Sequence, residues 1–182
     1  EDDTEPGLED PVNEYDKDID FIDHTSDRLT TIGVIKHCQQ LTAIILRCNK
    51  LPNVIFDQLN ECENLEYIDL YENRLTPIPR GKNPLENLKK LTELDVSFNE
   101  LRFTRGFSGL SSLESLYLIQ NKITTIDDDI NTISDNLKIL ELGSNRIRII
   151  ENLKNFNNLE QLFLGRNKIA NILPTSFENL PK

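Results

Sequence analysis

The stretch LKILELGSNRIRIIENLKNFNNL, residues 137–159, carries two hydrophobic rhythms in succession. Leu140 and Leu142 stand two apart, the alternation of a strand with one buried face. From Ile147 the apolar residues come every third position, through Ile150, Leu153, Phe156 and Leu159, which suits a 3-10 or extended return. Asn145 sits between the two rhythms, where the chain must leave the strand and turn back. Its amide both donates and accepts, so it can satisfy loop backbone groups that are otherwise buried without partners.

The same frame, LxxLxLxxNx(L/I), recurs six times: LTAIILRCNKL (41–51), LEYIDLYENRL (65–75), LTELDVSFNEL (91–101), LESLYLIQNKI (113–123), LKILELGSNRI (137–147) and LEQLFLGRNKI (159–169). The asparagines Asn49, Asn73, Asn99, Asn121, Asn145 and Asn167 are spaced 24, 26, 22, 24 and 22 residues apart. Self-similarity at this period defines a leucine-rich repeat array. The expected fold is an α/β solenoid with a concave parallel β-sheet and a 3-10 or irregular helical convex side. The asparagines form a structural column, so their loss is expected to damage stability rather than binding.

Three segments follow from the frame. Residues 1–18 form an acidic tail, expected to be largely disordered. Residues 19–40 read as a degenerate capping repeat, in which Ile19, Ile22, Leu29 and Ile32 keep inward positions while His24 and Asp27 break the template. Residues 41–182 hold the six repeats. The chain stops at ENLPK, where another repeat is due, so the expectation is a longer array cut short, or an open end that pairs with another chain. The insertions 77–88 and 126–136 fall between strands. The second contains Asp127, Asp128 and Asp129, which read as a solvated acidic turn rather than a calcium loop, since the alternating spacing and glycine of such a loop are missing.

Composition narrows the function. The net charge is −11, and residues 1–20, with ten acids and one lysine, account for −9 of it, leaving −2 for residues 21–182. No clustered basic face is visible, which argues against nucleic acid. No apolar run is long enough for a transmembrane helix. Cys38, Cys48 and Cys62 are odd in number and lack zinc-motif spacing, so a reducing intracellular compartment is expected and no metal or cofactor. Cys38 and Cys62 stand where other repeats carry Leu88, Leu110 and Phe156, as small inward-facing residues.

Catalysis finds little support. His24 and His37 lie in the capping segment, and Gly81-Lys82 lacks the surroundings of a phosphate loop. Asp95 and Glu141 stand two strands apart, about 9–10 Å, but on an open sheet face that excludes no water. The chain is read as a non-enzyme.

A protein-binding role does find support. Residues flanking the strand leucines point onto the concave face. The central column there is Ile45, Asp69, Asp95, Tyr117, Glu141 and Phe163. Beside it run Ala43, Tyr67, Glu93, Ser115, Ile139 and Gln161, and Arg47, Tyr71, Ser97, Ile119, Gly143 and Gly165. Aromatic and aliphatic groups (Tyr67, Tyr71, Tyr117, Ile119, Ile139, Phe163) ringed by Asp69, Glu93, Asp95 and Glu141 make an interface anchor with an acidic rim. The electrostatic expectation is a basic protein partner.

The wording of LELGSNRIR with IENL (140–153), LFLGRNKI (162–169) and LDVSFNEL (94–101) closely resembles the leucine-rich-repeat regulatory subunit of type-1 protein phosphatase, the Sds-type family. The likeness is tight over 91–172, looser over 41–90, and reaches the cap at FIDHTSDRLTTI. It implies a noncatalytic subunit, nuclear or cytoplasmic, whose concave face holds the phosphatase catalytic subunit. That family alternates acidic and aromatic contacts in the central column, and the matching positions are Asp95, Tyr117, Glu141 and Phe163. The competing expectation is a scaffold of another intracellular complex, of the ciliary dynein-associated or splicing-factor type.

Overall fold

The computed structural model describes residues 15–172, 174–177 and 180. The tail before Tyr15, with its expected disorder, lies outside the described residues, as do the last two residues of the chain.

Seven three-residue strands stack in chain order into one parallel sheet: β1 (Phe21–Asp23), β2 (Ala43–Ile45), β3 (Tyr67–Asp69), β4 (Glu93–Asp95), β5 (Ser115–Tyr117), β6 (Ile139–Glu141) and β7 (Gln161–Phe163). Register is uniform, for example Ile68 opposite Leu94 and Leu94 opposite Leu116. The middle residue of each strand turns inward, so Ile22, Ile44, Ile68, Leu94, Leu116 and Leu140 form one file of the core. The rungs from β2 to β6 add a second strand-side residue, Leu46, Leu70, Val96, Leu118 and Leu142, and return-side residues that include Cys38 and Cys62, both buried free thiols. Every buried Leu or Ile contributes about 1.5–3 kcal/mol, but only because the next rung covers it. At β7 the cover thins: Leu162, Leu164 and Ile169 are only partly buried.

The capping segment forms a full rung. Phe21, Ile22 and Asp23 pair with Ala43, Ile44 and Ile45. His24 occupies the place of the inward Leu46, and Asp27 that of Asn49. These departures answer each other, for His24 Nδ1 lies 2.7 Å from Asp27 Oδ2. With the carboxylate accepting at Nδ1, the other ring nitrogen, Nε2, accepts from the Tyr15 hydroxyl at 3.0 Å. His37 Nε2 donates to the Tyr15 carbonyl at 2.7 Å. Tyr15 thus packs over the core at the β1 end of the described residues.

The convex side, expected to be 3-10 or irregular helical, carries one α-helical turn in the return segment after β2. Val54–Leu59 is a short α-helix, α1, burying Ile55, Phe56 and Leu59, whose one- and four-residue spacings fit a 3.6-residue turn. Asn53 does not cap it; its amide pairs with the Thr76 backbone of the next rung instead. Asp128–Ile133 is a 3-10 helix.

The expected solvated turn at 127–129 requires correction. Asp128 is exposed, but the Asp127 side chain is buried and 3.2 Å from Arg105 Nη1, with Arg80 at 3.9 Å. The Arg105 guanidinium stacks on Phe103 at 3.9 Å and its Nε donates to the Ile78 carbonyl. This clip ties the 77–88 insertion to the two rungs after it. Close by, Gly106 adopts φ +96°, and an added Cβ there would meet Ile78 Cδ1 at 2.5 Å, so the position requires glycine.

Candidate protein-binding face

Every rung turns off its strand in the same way. The residue before the asparagine takes a left-handed conformation: Cys48, Glu72, Phe98, Gln120, Ser144 and Arg166 have φ between 53° and 57°. None of them is β-branched, the class least able to adopt it. The asparagine side chain then closes the turn. In each case Oδ1 accepts from a backbone N–H of the preceding rung: Leu29, Leu51, Leu75, Leu101, Ile123 and Ile147 in order. Nδ2 donates across the same interface, as from Asn145 to the Leu118 carbonyl at 2.9 Å. All six asparagines therefore join rung to rung and face inward, away from any partner.

The register places the concave residues in straight files. Tyr67, Glu93, Ser115, Ile139 and Gln161 are mutually aligned, as are Asp69, Asp95, Tyr117, Glu141 and Phe163. Neighbours along a file are about 4.8 Å apart. Tyr67, Tyr71, Glu93, Asp95, Tyr117, Ile119, Ile139 and Glu141 are half-buried, and Phe163 is exposed. The files extend one rung further, into the capping segment. Phe21, 47% exposed, heads the first file, and Asp23 heads the second.

Asp69 departs from its expected place on the exposed rim. It is buried, 3.3 Å from Arg47 Nη1, and takes hydrogen bonds from the Tyr71 N–H at 2.9 Å and the Tyr67 hydroxyl at 3.3 Å. Burial pushes its carboxyl above the ordinary range, with the Tyr71 bond and Arg47 acting against that shift. The accessible acids of the face are therefore Asp23, Glu93, Asp95 and Glu141. Burial also raises Glu93, helped by Asp95 and Asp69, and raises Glu141, opposed by the Gly143 N–H. Tyr67, half-buried beside Asp69 and Glu93, is pushed up to about 12 and stays protonated.

The central-column acids share a local contact. Asp23, Asp69, Asp95 and Glu141 each accept from the backbone N–H two residues later, of Thr25, Tyr71, Ser97 and Gly143, at 2.7–2.9 Å. These carboxylates thus cap the strand exit as well as charging the face, while Tyr117 and Phe163 hold the same position without that bond.

One exposed aromatic residue beside this face was not legible from sequence. Phe98, 38% exposed, sits at the left-handed turn and stacks on Tyr71 with ring centroids 4.6 Å apart. Tyr71 in turn lies under Arg47, 4.4 Å from its guanidinium carbon. The signal was that Phe98 is the only aromatic residue preceding a frame asparagine.

The fold and this face define a leucine-rich-repeat solenoid, and residues 39–101 and 158–180 match leucine-rich-repeat family profiles. A protein phosphatase 1 regulatory inhibitor subunit homolog of Arabidopsis thaliana is 37% identical over 131 residues, covering 69% of this chain and 38% of its own length. A leucine-rich repeat-containing G-protein coupled receptor of Rattus norvegicus is 33% identical over 109 residues, 59% of this chain and 11% of the receptor. Among solved structures, a leucine-rich-repeat protein of Leptospira interrogans superposes with a TM-score of 0.71 at 27% identity, over 83% of this chain and 37% of that one. The chain spans well under half of each of these proteins. No helix among the described residues is long and apolar enough to cross a membrane.

Proposed function

We propose that the concave face holds a folded protein partner, and that this partner is the catalytic subunit of a type-1 serine/threonine protein phosphatase, which the chain regulates without catalysing a reaction itself. The observation that carries the reading is the single register file Asp95–Tyr117–Glu141–Phe163, in which acids alternate with aromatics. Aromatic anchors bounded by acids are the arrangement expected of an interface centre, and they favour a basic opposing surface. The likeness to the Arabidopsis regulatory subunit homolog gives that surface a candidate owner. A reducing nuclear or cytoplasmic setting accords with the three free cysteines.

A pull-down with the phosphatase catalytic subunit tests both parts. Wild type is expected to capture it and the Asp95→Lys/Glu141→Lys variant to lose it. Capture that survives the double reversal places the interface on another surface. Failure of wild type and of a longer form of the protein removes the phosphatase, leaving a scaffold of another intracellular complex.

A further inference from the structure

Basic residues scattered through the sequence become neighbours once the rungs stack. The residue after each frame asparagine is Lys50, Arg74, Glu100, Lys122, Arg146 and Lys168, and the capping rung places Arg28 after Asp27. Their equivalence is structural. Each of the six donates its backbone N–H to the carbonyl of the residue that follows its counterpart one rung earlier, from Lys50 to Leu29 through Lys168 to Ile147. Six of the seven rungs therefore present a cation along one edge of the sheet, in a file about 29 Å long at the usual strand spacing. The one acid, Glu100, is paired with Lys122 at 3.0 Å. Among the described residues Arg28, Lys50, Arg74, Arg146 and Lys168 form no ion pair, and all five are exposed. An uncompensated row of five cations on a chain of net charge −11 calls for an anionic counterpart.

We propose that this edge file is a docking track for an extended acidic peptide, and that its occupant is the chain's own residues 1–14. Charge supports the choice, since that segment holds seven acids and no base. Position supports it too. The segment leads into Tyr15, whose hydroxyl bonds His24, whose ring in turn bonds Asp27, the residue next to Arg28 at the head of the file. Length is sufficient, because fourteen residues extend to about 46–50 Å, more than the file requires. An extended chain with acids at 1–3, 5, 9, 10 and 14 can meet cations one rung apart without regular structure of its own. Occupation neutralises the rim that borders the concave face, so an incoming partner would meet a surface whose remaining free charge is acidic. The inference stands on the charge file alone and does not depend on which protein the concave face holds.

Carbodiimide coupling of carboxylates to amines, read by mass spectrometry on the full chain at low concentration, tests it. The expected result is coupling of residues 1–14 to Lys50 and Lys122 within one molecule, above any coupling to Lys89, Lys90 or Lys138. Arginine does not couple, so Arg28→Glu/Arg74→Glu/Arg146→Glu leaves every reactive amine in place. It is expected to lower the Lys50 and Lys122 yields about tenfold, the joint effect of three exposed ion pairs reversed. Adding salt should lower the yields in the same direction. Coupling to Lys89, Lys90 and Lys138 as readily as to the file overturns the proposal. So do links that form only between molecules, which would make the occupant a second copy. Yields indifferent to the triple reversal sink it as well, as does a single-stranded oligonucleotide that abolishes coupling where poly-glutamate of equal charge does not.

Discussion

Asn145→Ala isolates what the asparagine column does. The side chain is 6% exposed and makes four hydrogen bonds: from the Ile123 N–H to Oδ1, and from Nδ2 to the carbonyls of Leu118, Leu142 and Gly143. Truncation does not orphan all four partners. The Leu118 carbonyl keeps Asn121 at 3.2 Å, Leu142 keeps Asn167 at 2.8 Å, and Gly143 keeps the Gln120 N–H at 3.0 Å. Only the Ile123 N–H is left without an acceptor, at a cost of about 1–3 kcal/mol. Adding the lost packing of the amide gives a total of about 2–4 kcal/mol. Asn145→Asp separates the two halves of the amide. It preserves the acceptor for Ile123 but turns an oxygen toward three carbonyls at 2.9–3.2 Å, and so is expected to destabilise at least as much as alanine.

Urea unfolding followed by circular dichroism gives the global cost, and hydrogen exchange at the Ile123 amide gives the local one. Because each rung contacts only its neighbours, the damage should appear as earlier opening of the rungs around β5 and β6. An alanine cost below about 0.5 kcal/mol, within the range of a neutral surface change, would falsify the account. Aspartate tolerated better than alanine would show that the column serves only as acceptor.

Three further outcomes are expected. Gln120 holds φ 54° on the surface, so Gln120→Gly should be neutral or stabilising by up to about 1 kcal/mol, whereas Gln120→Val should destabilise by more than that; equal denaturation midpoints would contradict the strain argument. Glu93 titrates above the ordinary glutamate range, so its favourable contribution is complete below the unfolded value of about 4.3 and fades as pH rises through the folded one; the thermal midpoint of wild type should therefore gain on Glu93→Gln as pH drops from 7 toward 4.5, and a constant difference refutes it. Asp95→Asn/Glu141→Gln keeps an oxygen for the Ser97 and Gly143 N–H groups while removing the charge, so the fold should hold while capture of a basic partner weakens; unchanged capture would mean that those acids serve only the strand exits.

The inward files and the asparagine column were legible because both repeat in register, and a frame seen six times fixes where each side chain points. The concave files were legible for the same reason, down to Tyr117 beside Glu141. What escaped reading lies where one rung departs from the others. Asp69 has a frame position that is exposed in other rungs, yet Arg47, one rung earlier, sits over it, and that contact depends on neighbouring side chains rather than on the frame. The acidic neighbours of Asp127 suggest a solvated turn, which its burial contradicts. Its partner Arg105 comes from an earlier return segment and its second cation, Arg80, from the insertion before that, and neither belongs to the repeat. The helix α1 was hidden because its Phe56 and Leu59 stand three apart, as in the other return segments, and only Ile55 beside Phe56 departs from that rhythm.

A repeat of this kind separates its duties by position, and the separation tells where chemistry is free to vary. The strand-centre and return residues hold the core, and the asparagine with the left-handed residue before it holds one rung to the next. Two exposed sets remain: the concave files and the edge file after the asparagine. Neither is required to be uniform by the fold, yet each has a consistent character, aromatic and acidic in one, basic in the other. The acids of the concave file have a partial structural reason in their strand-exit hydrogen bonds, but Tyr117 and Phe163 have none, and an exposed phenyl ring gains little from water. Among the described residues the cations of the edge have no ion-pair partner apart from Glu100. Once folding has accounted for the other positions, these two surfaces are where the chain's interactions must be sought, and their opposite charge means that one partner cannot satisfy both with a single kind of surface.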